Sequence, residues 1–411
     1  MNRVFVTSET RRRMRTGPLG AYLDGFAERL REQGYTPSSV RQKTRLTADL
    51  SDWLQRRKLS VKHLDERRVT AFLQHRHRVL RGYCGEGVAL QMLLEQLRDT
   101  GVIRGRGPVA DEGTVYPVES AFTQYLLQER GLSRVTVNGY VLYVRRFILE
   151  RFGRGPLRLE ALAPSDINKR LLRHSKTSSP SQCQAIAKAL RVFLRFLHLR
   201  GTITVDLAAA VPCVRHWRLS TVPKFLKSEQ VASLLANCHQ DTVLGQRDYT
   251  VLLLLARLGL RAGEVVDMRL EDIDWEAGEL TVRGKRGQQD RLPIPTDVGK
   301  ALATYLRQGR PACSARHVFV RMKAPHRGFK ESGAITYMVL KALRRAGLDP
   351  AHKGARILRH SLATQMLRRG ASLTEVGEVL RHRCLDTTAI YAKVDVAALR
   401  ALAQPWPGGE A

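Results

Sequence analysis

Apolar positions recur at helical spacing along most of the chain. Tyr22, Leu23, Phe26 and Leu30 form one stripe, and Phe122, Leu126 and Leu127 form a similar one later, as on the buried face of amphipathic helices. Each stripe runs into a glycine turn and then a Thr or Ser placed to cap a long helix. The two stretches, 31–40 and 128–137, lie at an offset of 97. Val69 and Leu73 then match Ile167 and Leu171 at an offset of 98. Leu93, Leu94, Leu97, Gly101 and Ile103 match Phe193, Leu194, Leu197, Gly201 and Ile203 at an offset of 100. Three ordered blocks at nearly constant offset predict a helical module of roughly 85 residues present twice.

Beyond residue 224 the pattern changes. Helical periodicity at 228–237 and 246–258 gives way to two short β-rich runs, Glu279 to Arg283 and Arg291 to Ile294. Between them Gly284-Lys285-Arg286-Gly287 reads as a hairpin turn with two cations at its tip. Helical patterns resume near 297–308, 331–346, 358–369, 373–380 and 396–402. The expected fold is mainly α: two tandem helical modules, then a mostly α domain with a small antiparallel β-sheet. Stretches 101–117 and 205–224 have linker composition. The expected divisions are a basic tail (1–17), a first module (18–108), a second module with a basic linker (109–224), a C-terminal domain (225–404) and a short tail (405–411).

Charge narrows the class of partner. The 411 residues carry 69 Lys and Arg against 38 Asp and Glu, a net charge of +31. An excess of that size points to a polyanion, of which nucleic acid is the commonest. The longest aliphatic run, Val251 to Ala256, ends at Arg257, far short of the ~20 residues of a membrane span. No apolar stretch of a leader follows the basic N-terminus. Six cysteines, none closer than 25 residues to the next, exclude Cys-x-x-Cys motifs and make a disulfide framework unexpected. A reduced, cytoplasmic, nucleoid-associated protein of a bacterial cell is the expectation.

Several chemistries find no support. Asp267, Glu271, Asp272, Asp274 and Glu276 are the densest acidic stretch, but their spacing suits a solvated face better than a metal cage. There is no Gly-x-x-x-x-Gly-Lys-Ser/Thr loop for ATP and no Gly-x-Ser-x-Gly elbow. What remains is a series of cations and one tyrosine. Gly259-Leu260-Arg261-Ala262-Gly263-Glu264 sets an arginine at a helix start, and Lys285 follows at the hairpin tip. Arg359 comes 74 residues after Lys285, in Leu358-Arg359-His360. His382 lies 23 beyond it, in Leu380-Arg381-His382, and Tyr391 nine further on.

This order and spacing resemble the tyrosine recombinase (phage integrase) family, whose site runs Arg, Lys, His-x-x-Arg, His or Trp, and Tyr. The resemblance covers about 225–403, and the second helical module looks like the family's SAM-like core-binding domain. A doubled N-terminal module is similar to longer integrases encoded by transposons. The resemblance implies a recombinase that cleaves and rejoins double-stranded DNA through a 3′-phosphotyrosine, without metal, ATP or other cofactor. It also implies a homotetramer on DNA, or a hetero-assembly with sister recombinases.

The chemistry fits the residues. Arg261 and Arg359 are expected to clamp the scissile phosphate bidentately. Lys285 is the expected general acid for the leaving 5′-oxygen, and Tyr391 the nucleophile. His382 is expected to hydrogen-bond the phosphate or the tyrosine, and Glu264 to orient the arginine and histidine side chains. Arg215, Arg218, Lys224 and Arg286 are expected DNA contacts, while His360 reads as a packing residue at the helix start, kept in play by its place beside Arg359. One position departs from the family. Arg356 stands where the family has histidine, and a guanidinium keeps its proton. Arg356 is therefore expected in the site as a third cation beside the phosphate. Two other readings stand: a DNA-binding accessory protein with an impaired site, working with a partner recombinase, and a metal-dependent transposase, which the acidic spacing disfavours.

Overall fold

Caps set the helical part of the fold. Thr36, Ser133 and Ser179 each precede a helix and accept a hydrogen bond from the backbone N–H three residues on, satisfying a donor that the first turn leaves free. Pro37 and Pro180 open two of these helices, where no N–H is needed. A computed structural model of the chain describes residues 17–83, 85–104, 117–153, 155–215, 222–284, 288–394 and 399–400. Residues up to 104 and from 222 onward group into one unit, and residues 105–221 into another.

The first unit opens with α1 (Leu23–Glu32), α2 (Pro37–Arg56), α3 (Glu66–Val79) and α4 (Glu86–Asp99). Phe26, Leu30, Leu50, Leu54, Leu90 and Leu97 are fully buried between them. Gly34 turns α1 into α2 with φ of +82°. The His326 ring occupies the space that a Cβ at Gly34 would need, and the His326 N–H donates to the Gln33 carbonyl at 2.9 Å.

The second unit holds α5 (Pro117–Gln124), extended by a π turn over Tyr125–Glu129, then α6 (Arg134–Phe152), α7 (Pro164–Ser175) and α8 (Pro180–Leu199). Its core is aromatic, with Phe122 edge-on to Phe193 at 5.1 Å. The element order matches that of α1 to α4, down to the closing turn. Gly101 and Gly201 take φ of +71° and +69°, and the N–H groups of Val102 and Thr202 reach back to Leu97 and Leu197 at 2.8 and 2.9 Å. That is the glycine-dependent way to end a helix. The outer surfaces differ. α8 exposes Lys188 and Arg195, whereas the positions 100 earlier on α4 are the exposed Val88 and Glu95.

The C-terminal part of the first unit is built around α10 (Val243–Arg257), which follows α9 (Ser228–Ala236) and buries Val251 to Leu255. α11 (Ala262–Asp267) leads into β1 (Ile273–Asp274), β2 (Glu279–Arg283) and β3 (Gln289–Pro293). The three strands form an antiparallel sheet in that order, with Leu280 opposite both Ile273 and Leu292. The second run expected at 291–294 thus sits two residues earlier at its start. β1 was not expected, because two residues are too few to show a period of two. α12 (Thr296–Thr304) passes into a π turn at Tyr305–Gly309, where one helix over 297–308 was expected. The extra backbone step coincides with Tyr305, which is fully buried and stacked on Phe319 at 5.4 Å.

α13 (Gly333–Arg345), α14 (Arg356–Arg368), α15 (Leu373–Val379) and α16 (Leu385–Thr388) complete the unit, followed by a 3-10 turn at Ala389–Val394. Ala363, Leu367, Val376, Leu380, Tyr391 and Val394 form a small separate apolar cluster. The helix expected at 396–402 lies almost wholly outside the described residues. The fold is mainly helical with a small antiparallel sheet, as expected. Among the described residues no helix is long and apolar enough to cross a membrane.

Candidate active site

Gly259 shapes the entrance to α11. It adopts φ of +57°, which glycine allows without strain, and a Cβ there would lie 2.7 Å from Leu380 Cδ2. Its carbonyl accepts a hydrogen bond from Arg359 Nη1, while Arg359 Nη2 donates to the Leu380 carbonyl. The Arg359 guanidinium is therefore aimed by main chain from two directions. Its residue is 6% exposed, and burial, with Arg261 and Arg381 nearby, brings its pKa down to about 10. It is still a cation at neutral pH.

Two residues past Gly259, Arg261 caps α11. Its side chain is 48% exposed, and its Nη1 and backbone N–H donate to the two oxygens of Glu264 at 2.6 and 2.9 Å. Burial alone would raise the Glu264 carboxyl, but the Arg261 N–H, Arg381 and the Arg261 side chain together hold it below the usual carboxylate range. Glu264 was expected to orient an arginine and a histidine. Its second partner is instead Arg381, at 2.9 Å, because the carboxylate faces the turn before His382 rather than the imidazole.

Arg356 and His360 complete the wall on α14. Spacings of three and four put Arg356, Arg359 and His360 on one helix face. The Tyr391 hydroxyl lies 2.8 Å from His360 Nδ1, and the two rings meet edge-on at 5.5 Å. Tyr391 is 1% exposed; burial pushes its pKa up to about 12 against the pull of Arg359 and Arg356. Burial, then Arg356, Arg359 and His352, bring His360 down to about 4. His382 sits parallel to the Tyr391 ring at 6.3 Å, and its Nδ1 is 2.8 Å from the Thr388 hydroxyl. Burial and the cations Arg359, Arg261 and Arg381 bring His382 down to about 4 as well. The histidine in hydrogen-bond contact with the tyrosine is thus His360, read from sequence as a packing residue. Its signal was present in the i, i+3, i+4 spacing that it shares with the two arginines.

Arg261, Arg356, Arg359, His360, His382 and Tyr391 all line one cavity of about 430 Å³. Three guanidiniums, two neutral imidazoles and a phenol can hold a tetrahedral anion and present it to an oxygen nucleophile. Lys285, Arg286 and Arg218 lie outside the described residues. Arg215 and Lys224 are both exposed. Three of the five carboxylates in the acidic stretch are tied up elsewhere: Asp272 with Arg283 at 2.6 Å, Glu271 with Arg316 at 2.6 Å, and Asp274 with the backbone of Glu276 and Ala277. Among the described residues no three His, Cys, Asp or Glu side chains gather as a metal site would require.

Known proteins resemble the chain in sequence and in fold. Residues 224–397 match the phage integrase family. The chain is 42% identical to the integrase/recombinase y4rA of Sinorhizobium fredii over 397 residues, 95% of either chain. It is 33% identical to the tyrosine recombinase XerD of Mycobacterium tuberculosis over 306 residues, which is 70% of this chain and 95% of XerD. In fold it resembles XerH recombinase bound to a palindromic difH substrate, with a TM-score of 0.55, 18% identity, and coverage of 69% of this chain and 83% of that one. It also resembles a lambda integrase dimer bound to a core site, with a TM-score of 0.52, 17% identity, and coverage of 71% and 98%. Identity of 42% along nearly the whole length leaves one conclusion: the chain belongs to the phage integrase family, the tyrosine-type site-specific DNA recombinases.

Proposed function

We propose that the protein cuts and rejoins DNA through a 3′-phosphotyrosyl bond on Tyr391, in the integration or excision of a mobile element. The observation that carries this reading is the single cavity in which Tyr391 stands with Arg261, Arg356 and Arg359. In the proposed reaction Arg261 and Arg359 hold the non-bridging oxygens of the scissile phosphate, and Arg356 adds a third positive charge as the pentavalent state forms. The Tyr391 oxygen attacks phosphorus, the bond to the 5′-oxygen breaks, and Lys285 supplies that oxygen with a proton. His382, fixed by Thr388, contacts the phosphate. The phosphotyrosyl bond keeps the energy of the broken linkage, so rejoining to another strand needs no nucleotide.

In this reading Arg215, Arg218, Lys224 and Arg286 contact the DNA backbone, and α1 to α4 form an additional copy of the module in α5 to α8. Proteins of this fold include a lambda integrase tetramer bound to a Holliday junction, with a TM-score of 0.52 and 16% identity. On that ground we extend the reading to a tetramer on duplex DNA, working at the nucleoid of a bacterial cell.

The test uses duplex DNA selected by the full chain from a random pool, nicked near the cleavage position so that the cut strand cannot be rejoined. Wild type should become covalently linked to it in EDTA, and Tyr391→Phe should bind without linking. Linkage that survives in the Phe variant would defeat the assignment. One residue favours a second reading. Arg356, unlike histidine, cannot accept a proton, and a wild-type chain that binds but never links would be an accessory protein for a partner recombinase.

A further inference from the structure

A phenol must lose its proton as it attacks, and the arginines around Tyr391 cannot take it. We infer that His360 accepts the Tyr391 proton during cleavage and returns it during rejoining, the task for which Arg356 is chemically unsuited. This rests on the proposed attack by Tyr391.

The argument is first one of geometry. Among the described residues, the hydrogen-bond partner of the Tyr391 hydroxyl is His360 Nδ1, at 2.8 Å, within the reach a general base needs. The contact is held from both ends. His360 lies on the first turns of α14 beside Arg359, whose guanidinium is bonded to the carbonyls of Gly259 and Leu380. Tyr391 is clasped in the 3-10 turn at Ala389–Val394, with its ring in the small apolar cluster. The other candidates are engaged or unfit. His382 Nδ1 is taken by Thr388, and its ring lies parallel to the phenol, 6.3 Å away. Glu264 serves two arginines.

Charge state supports the same role. The groups that bear on His360 are Arg356 and Arg359 from its own helix, His352 from the preceding loop, and His382 and Tyr391 across the cavity. Burial and these cations keep the imidazole neutral, down to about 4, so with its proton on Nε2 a lone pair faces the phenol. A phosphodiester entering the cavity brings a negative charge against the same cations, which offsets the repulsion that keeps His360 neutral and strengthens it as a base. The step balances. The O–H bond of Tyr391 breaks toward Nδ1, its oxygen bonds to phosphorus, the bond from phosphorus to the 5′-oxygen breaks, and Lys285 protonates that oxygen. Rejoining reverses each transfer.

The experiment compares wild type, His360→Asn and His360→Ala on the nicked duplex, with an ordinary linkage and with a 5′-bridging phosphorothiolate, whose sulfur leaves without a proton. Linkage rates are compared at protein concentrations that saturate the DNA. His360→Asn should link at least about 10²-fold more slowly, with the defect persisting on the phosphorothiolate, and added imidazole should restore linkage to His360→Ala. Linkage at the wild-type rate in His360→Asn would overturn the inference. So would a defect that the phosphorothiolate erases, which would move His360 to the leaving-group side. A defect that imidazole leaves untouched would also overturn it, by making His360 a positioning residue. Failure of wild type itself to link falls on the proposed function instead, so the two failures are distinct.

Discussion

Arg381 Nη2 donates to Glu264 Oε2 across 2.9 Å, and each of the two side chains is 6% exposed. Arg381 holds φ of +56°, a conformation that an L-residue avoids unless its surroundings demand it. Its Nε also stands 4.0 Å from Asp290 on β3. One carboxylate thus ties the start of α11 to the turn before His382, while the same arginine reaches the edge of the sheet at Asp290.

Removing one partner of a buried pair leaves the other charge stranded. Glu264→Ala should lower the unfolding free energy by about 3–5 kcal/mol, measured in urea melts. Arg381→Ala should behave alike, and the double variant should lose less than the two single losses added together. Additive losses below about 1 kcal/mol each would show that the pair holds nothing.

Stability should depend on pH through the two histidines. Both are brought down to about 4 in the folded chain, against an ordinary value near ~6.5 in the unfolded one. Between those values the unfolded state binds more protons, so stability rises with pH. Their contribution is full above the unfolded value and is lost as pH falls from there through about 4. The melting temperature should drop between pH 7.5 and pH 5 by less in His360→Asn than in wild type. Identical profiles for the two would contradict this.

Gly259→Ala tests the aim of Arg359. The left-handed backbone should cost about 1–2 kcal/mol, and the new methyl group would press on Leu380 and Leu362. The variant should lose covalent linkage to DNA well before it loses DNA affinity. Equal losses would mean that Gly259 serves only the core.

Arg356 should be worth more as a cation than as a contact with the duplex. Arg356→Ala should slow linkage by about 10²-fold and shift the acid limb of the rate profile upward, because one of the charges depressing His360 is gone. Arg356→His should retain activity. A wild-type rate in the alanine variant would place Arg356 outside the reaction.

Salt dependence separates the two helical segments. Each phosphate contact contributes about −0.9 to the slope of log affinity against log salt. If the exposed cations of α8 rest on phosphates, Lys188→Ala with Arg195→Ala should flatten the slope by roughly two such steps, whereas Val88→Ala with Glu95→Ala should leave it unchanged. A slope altered only by the second pair would put the DNA on α4.

How far the sequence carried the site depended on whether a residue works through order or through proximity. Arg261, Arg359, His382 and Tyr391 follow one another along the chain in a spacing that can be read without coordinates. The spacing sets His360 on the face of Arg356 and Arg359, but its bond to the phenol needed the turn at Ala389–Val394, which brings in a hydroxyl from 31 residues away. Glu264 was found as a partner of Arg261 because the two are one helical turn apart. Arg381 was missed as its other partner because 117 residues separate them. Helices α2 and α6 announced themselves by the caps that precede them, while a two-residue strand and a π turn leave no periodic trace.

The depth at which Tyr391 sits bears on the safety of the genome that hosts such a protein. A nucleophile able to break a strand is a hazard to any DNA that it brushes against. A phenol 1% exposed, and pushed up to about 12, is a poor nucleophile toward whatever passes the surface. On the proposed function it becomes competent only when a phosphate fills the arginine-lined cavity and the burial that restrains it is answered by charge. Accidental strand breaks are then held down by the resting fold itself, before any recognition of sequence comes into play.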